Sequence, residues 1–236
     1  MNKHLESQLD VSVDCVVFGF KNNRLRVLVI EQENVFDSNT RRYALPGDLV
    51  LPEEHIDHAA ERVLYELTNL QGIYLEQFHT FGNPNRVRKE SDVQWLNVVR
   101  KNPNARVITI AYYALVKMED YTPSPSSYAE KAEWLDVLNV PELAFDHNKI
   151  LKTALKKLRK EVSNNEVGFE LLPEKFTLGQ LQQLHEVILD TQLDKRNFRK
   201  AIKKMDSVLA LEEKQKGVLH KPAQLFTYIG ERKEVD

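Results

Sequence analysis

The sequence predicts an α/β domain followed by a smaller α+β unit of winged helix-turn-helix form. Three observations carry this reading. Apolar, β-branched runs alternate with one amphipathic helical pattern through the first half of the chain. A long helix with lysines on its polar side then closes the region at Ser163-Asn164-Asn165. Beyond it, two short capped helical patterns precede a pair of strands. We place the boundary at that stop, giving domains of residues 1–163 and 164–236.

Residues 10–20 alternate well enough for a strand, Lys21-Asn22-Asn23 has turn composition, and 24–31 returns as a second strand. Residues 42–50 read as extended, 56–67 as an amphipathic helix, and 73–81 as a strand. Strands are expected again at 106–118 and 132–137, separated by the Pro- and Ser-rich loop 121–127. Between 86 and 106 lies more chain than a hairpin needs; its segment 92–99 is expected as an added helix, a lid or a dimer-packing element. The helix 148–161 places Ile150, Leu151, Ala154, Leu155 and Leu158 on one side.

With 236 residues, 42% hydrophobic and 29% charged, the chain is long enough for two small domains. The single cysteine, Cys15, lies in an apolar run, so no intramolecular disulfide or cysteine zinc cluster is available. The first residues show no signal-peptide core and no run reaches membrane-spanning length, which predicts a cytoplasmic protein without a membrane partner. The net charge of −2 conceals a division. Residues 151–236 hold 17 Lys+Arg against 13 Asp+Glu, and residues 1–150 hold 16 against 22. Such asymmetry suggests an acidic module joined to one that meets a polyanion.

From Asp48 onward the chain follows the spacing G-x5-E-x7-R-E-U-x-E-E-x-G-U, with U aliphatic. Asp48 stands at the first glycine, Glu54 at the first glutamate, Arg62 at the arginine, Leu64 at the aliphatic slot and Glu66 at one acid; Leu70 closes the motif. Val63 and Leu67 replace the other two acids, and Asn69 the last glycine. The segment resembles the Nudix box of nucleoside-diphosphate-X hydrolases. Its flanks, Tyr43-Ala44-Leu45-Pro46-Gly47 and Phe81-Gly82-Asn83-Pro84, resemble one branch of that superfamily. The resemblance implies an α/β/α sandwich. It also implies lost chemistry: three carboxylates at 63, 66 and 67 would converge on one helix face to hold Mg²⁺, and only Glu66 remains. The expectation is therefore no catalytic residue, no metal and no cofactor, with methyl groups bordering the space of a hydrated ion. The plainer alternative is an amphipathic helix with chance matches. His55 and His58, at i and i+3, invite a metal reading but lack a complete ligand set.

Thr177 and Gln180 form a capping-box pattern behind Phe176, and Leu181, Leu184, Val187 and Ile188 give the helix an apolar face. After the turn Thr191-Gln192-Leu193, Asp194 caps a second helix expected to run to about residue 206. Lys195, Arg196, Arg199, Lys200, Lys203 and Lys204 fall on one half of its circumference, and Phe198, Ala201, Ile202 and Met205 on the other. A hairpin with Lys214 and Lys216 near its tip follows. Lysines and arginines neutralise phosphates, while Arg196 and Asn197 suit guanine and adenine edges. The bland reading is a solvated basic face that docks an acidic protein.

Together the halves resemble Nudix-related transcriptional regulators of the NrtR-like family, with the arabinose-utilisation (AraR-type) branch nearest. That resemblance implies a ligand-responsive DNA-binding repressor of a sugar-catabolic operon, with L-arabinose as effector and ADP-ribose as the less favoured ligand. It also implies a homodimer on operator double-stranded DNA. Glu31, Arg42, Tyr43, Asp48 and His79 are the candidate effector residues, since a sugar needs directional polar groups in a partly apolar pocket. Asp48 speaks against a diphosphate, although Arg41 and Arg42 offset it. An active hydrolase of ADP-ribose or a related compound is the enzymatic alternative.

Overall fold

A computed structural model describes residues 9–32, 41–124, 129–164, 168–218 and 221–230. Strands β1 (Leu9–Lys21) and β2 (Arg24–Gln32) form a hairpin. Its turn residues Asn22 and Asn23 have φ of 51° and 59°, the left-handed pair a two-residue hairpin turn requires and asparagine tolerates. β3 (Arg42–Ala44) pairs with β2, and β4 (Gly47–Leu49) pairs with β1. After helix α1 (Ile56–Thr68) come β5 (Glu76–Phe81), helix α2 (Glu90–Val99), β6 (Arg106–Val116) and β7 (Ala129–Asp136). β6 runs parallel to β1 along its whole length, and the seven strands make one mixed sheet.

α1 covers one face with Ala59, Ala60, Val63, Leu64 and Leu67 against Cys15, Val17 and Tyr112. Helix α3 (His147–Ser163) covers the other with Ile150, Leu151, Ala154 and Leu158 against Val16, Phe18 and Val29. This is the α/β/α sandwich that the box resemblance implies. α2 is the added helix expected in the 86–106 segment.

The C-terminal unit comprises β8 (Lys175–Phe176), α4 (Leu178–Leu189), α5 (Lys195–Ile202), β9 (Val208–Lys214) and β10 (Gln224–Tyr228), with strand order β8-β10-β9. The capping box is complete: the Thr177 hydroxyl accepts from the Gln180 amide at 3.1 Å, and the Gln180 side chain accepts from the Thr177 amide at 2.8 Å. The two units share a core. One apolar cluster runs from Val16 and Phe18 in the sheet through Leu158 of α3 to Leu184, Ile188 and Phe226. Among the described residues no helix is long and apolar enough to cross a membrane.

Candidate functional site

A cavity of about 550 Å³ opens where β1, β4, α2 and the start of α3 meet. Its floor is ionic. Asp14, a buried carboxylate in the apolar part of β1, takes hydrogen bonds from the Thr109 hydroxyl at 2.6 Å and from Arg86 at 3.3 Å, and lies 3.2 Å from His147 Nε2. His147 Nδ1 accepts the Leu45 amide at 2.9 Å, which leaves the hydrogen on Nε2 to face Asp14. Burial alone would raise the Asp14 pKa; His147, Arg86 and Thr109 together hold it well below the usual carboxylate range. Gly47 is obligatory here, because a Cβ would overlap Asp14 Oδ1 and crowd the Val13 carbonyl. Arg86 continues the network with a two-point pairing to Asp146, at 2.8 and 3.3 Å.

α2 and the residues after it supply a wall: Trp95, Val99, Arg100, Lys101 and Asn102. The added helix is thus part of the cavity wall. Arg42 braces this wall from behind. It donates to Asp92 at 2.7 Å and to Gln32 at 3.2 Å, with its guanidinium over both Trp95 and Phe145 at 5.3 and 5.1 Å.

Of the five candidate effector residues, Asp48 lines the cavity and Arg42 supports it; the other three do not line it. Glu31 and Tyr43 face each other across β2 and β3, with Glu31 3.5 Å from Arg41. His79 is exposed on β5, its ring 4.6 Å from Phe81. The offset expected from Arg41 and Arg42 also fails, since neither lines the cavity; the cations that do are Arg86, Arg100 and Lys101. Burial raises the Asp48 pKa despite the amide of Leu49 and the charges of Arg100 and Arg62. Asp14, Arg86 and His147 were not singled out in the sequence; a carboxylate within the run Val13 to Phe18 is the signal that marks the first of them.

The box arginine is the hub of its own fork. Arg62 donates to Glu54 at 2.6 and 2.9 Å, to Glu66 at 3.0 Å and to the Leu49 carbonyl at 3.0 Å. Asn69 adopts φ 57° and caps α1 by donating to the Tyr65 carbonyl at 2.7 Å, doing the work of the box glycine. Val63 and Leu67 are 0% and 1% exposed inside the core beneath α1. They do not border an ion's space, as the sequence reading had it; they pack against the sheet. The residues present do not fit the Nudix metal: Glu66 is committed to Arg62, and no group of three His, Cys, Asp or Glu among the described residues is placed to hold an ion. His55 and His58 sit edge to face at 5.6 Å, both exposed.

In the C-terminal unit, α4 and α5 meet through the half-buried Phe198, the buried Ile202 and the ring of His185, which lies 5.2 Å from Phe198. The intervening turn is fixed by α4: Gln182 donates to the Leu193 carbonyl at 3.1 Å, and Glu186 accepts the Leu193 amide at 3.0 Å. Asp194 caps α5 by accepting the Asn197 amide at 2.7 Å. Lys195, Arg196, Asn197, Arg199 and Lys200 are exposed along it. The helix is shorter than expected. It stops at Ile202, so Lys203 and Lys204 lie in the following turn, still exposed, and Ala201 is exposed rather than buried. Lys214 ends β9, and Lys216 precedes Gly217 at φ 71°; residues 219–220 of the tip lie outside the described residues.

The fold is a Nudix-like domain followed by a C-terminal winged helix domain, as in the NrtR structures. Residues 168–228 match the family model of the NrtR DNA-binding winged helix domain. The chain is 29% identical over 223 residues to the ADPR responsive transcriptional repressor NtrR of Acinetobacter baylyi, covering 92% of this chain and 81% of that protein. It is 25% identical to Shewanella oneidensis NrtR complexed with a 27mer DNA, with a TM-score of 0.69 over 92% of this chain and 93% of that one. The NUDIX domain of the same protein complexed with ADP ribose is 25% identical with a TM-score of 0.51, over 67% of this chain and 93% of that one. Over most of its length the chain is thus similar to the NrtR proteins. The expected arabinose branch and pentose effector find no support in these relatives, two of which carry ADP-ribose in their descriptions.

Proposed function

We propose that this protein is a DNA-binding transcriptional repressor that responds to ADP-ribose or a closely related nucleoside diphosphate sugar, and that its Nudix-like domain senses the ligand without hydrolysing it. The observation that carries the reading is the pairing, in one chain, of a capped basic helix in an NrtR-type winged helix with a cavity lined by Arg86, Arg100 and Lys101, by the carboxylates of Asp10, Asp14 and Asp48, and by the rings of Trp95 and Phe145. A volume of about 550 Å³ falls within the range of small-ligand sites. Arg86, Arg100 and Lys101 offer charge for a diphosphate, Trp95 and Phe145 offer ring faces for a base, and Asp48 and Ser12 offer acceptors for sugar hydroxyls. The burial of Val63 and Leu67 supports sensing over hydrolysis.

As a repressor it binds as a homodimer, with two α5 helices reading half-sites spaced by about one or two turns of DNA, roughly 10–21 base pairs. The test is fluorescence anisotropy on duplexes selected by the protein from a random library, with and without ADP-ribose. Tight binding whose affinity changes with ADP-ribose, but not with L-arabinose, is the expected result. Metal-dependent turnover of ADP-ribose that Glu66→Gln abolishes would replace this reading with a hydrolase. The absence of binding to any duplex at low salt would instead favour a basic face that docks an acidic protein.

A further inference from the structure

α3 belongs to both halves of the molecule. Its first turn is built into the cavity floor: His147 faces Asp14, and Asp146, the residue that precedes the helix, is bound by Arg86. Because that carboxylate is given to Arg86, it makes no side-chain cap to the helix's own amides. About three turns later, roughly 18 Å along the axis, Arg159 leaves the same helix toward the winged helix. Its Nε donates to the carbonyl of Ile188 at 2.8 Å, in the last turn of α4. That last turn leads through Asp190, at φ 53°, into the turn that sets α5.

The surroundings of Arg159 are open. A cleft of about 760 Å³ separates the β1–β2 hairpin turn and residues 136–139 from the C-terminal end of α4, and Arg159 lies in its wall. The tie it makes is to a free helix-end carbonyl, a group that must find a donor from outside its own helix. Side-chain packing joins α3 and α4 nearer the core through Leu158, Leu184 and Ile188. At the cleft, directional contact is made by the Arg159 bond.

Resting on the ADP-ribose reading, we propose that Arg159 is a positioning residue that couples the cavity to the DNA-reading helix. A diphosphate drawing Arg86 away from Asp146 and Asp14 loosens the ionic network that holds the first turn of α3. The helix then shifts as a rod, and Arg159 carries the shift to the end of α4 and so to α5. Interfaces with two discrete arrangements transmit small displacements in this way.

The experiment uses the full-length chain, ADP-ribose and a selected duplex. In wild type, saturating ADP-ribose should change the DNA dissociation constant by roughly 5–150-fold. In Arg159→Gln, calorimetric affinity for ADP-ribose and DNA affinity without it should stay at wild-type values while the ADP-ribose-dependent change disappears. Arg159→Lys, which keeps a donor, should restore part of it. Retention of the full change in Arg159→Gln would overturn the proposal. Hydrogen exchange on wild type supplies a readout that needs no variant: ADP-ribose should alter protection at residues 186–192, and a change confined to the cavity would also overturn it. A wild type that binds both partners without any mutual effect would overturn the repressor reading as well. That failure is distinguishable, because it appears before any substitution is made.

Discussion

The packing of Val63 and Leu67 makes a quantitative demand that a cavity-facing arrangement would not. Consider Leu67→Glu, which puts back the acid the box has lost. Leu67 is 1% exposed, and among its core neighbours are Cys15, Val17 and Leu64. Among the described residues a glutamate there has no cationic partner within the core, so it remains neutral, and keeping it neutral costs about 1.4 kcal/mol for each pH unit above about 4.3. That is about 1 kcal/mol at pH 5 and about 3.7 kcal/mol at pH 7. The sign follows from linkage: with its folded pKa raised, the native state binds more protons than the unfolded chain, so stability falls as pH rises. Leu67→Gln loses the same apolar contacts and carries no charge, so the difference between the two variants isolates the ionisation. Denaturant unfolding of both at pH 5 and pH 7 should therefore show a gap that widens by about 2.7 kcal/mol. A small, pH-independent gap would refute the reasoning. So would a rise in the Tm of Leu67→Glu on addition of Mn²⁺ that Leu67→Gln does not share, since the side chain would then be reaching an ion.

Three further outcomes follow from the geometry. Burial pushes the His185 pKa down to about 4 from 6.5, and its Nε2 has no hydrogen-bond partner among the described residues. The unfolded chain therefore takes up the proton first, and stability falls as pH drops from about 6.5 toward 4, by about 3 kcal/mol in all; His185→Leu should remove that part of the pH dependence in thermal melts. Lys200→Ala should weaken binding to all duplexes alike and reduce the salt slope by about one, whereas Arg196→Ala or Asn197→Ala should cost about 1–3 kcal/mol on the selected sequence alone. Arg100→Gln should weaken ADP-ribose binding by about 1.5–3 kcal/mol, the value of a charge-assisted contact; unchanged calorimetric affinity would place the diphosphate elsewhere.

The elements were legible where the signal is local. Alternation gave β1 and β2, Asn22-Asn23 their turn, and the Thr177–Gln180 box and Asp194 the starts of α4 and α5. The end of α5 was not, because lysines continue the basic pattern past Ile202 while no side chain signals the stop. The cavity was read only in part, and strand parity explains much of the miss. Glu31 and Tyr43 form one cross-strand pair, Gln32 and Arg42 the next, and successive pairs point to opposite faces. It is the second pair that meets α2. His79 follows a register shift between Gln77 and His79, where simple alternation fails. The Asp14, Arg86 and His147 network joins residues from β1, the loop after β5 and α3, and a non-local ion network leaves no periodic trace in a sequence.

The pattern of what survives in the box is itself informative. Arg62, Glu54 and Glu66 are retained, and together they fasten the loop after β4 to α1 through the Leu49 carbonyl and the Leu51 amide. Asn69 differs from the box residue but keeps its left-handed backbone. Just before the box, Gly47 stands where nothing larger clears Asp14. Each of these positions carries structure. The two acids that are gone sit where the backbone now directs side chains into the core, and their apolar replacements extend the packing of α1 on the sheet. An ion at that helix would need Val63 and Leu67 exchanged for carboxylates that the same packing disfavours. The box residues that remain thus hold β4 and the loop after it against α1, at the edge of a cavity that Asp48 and Leu49 line.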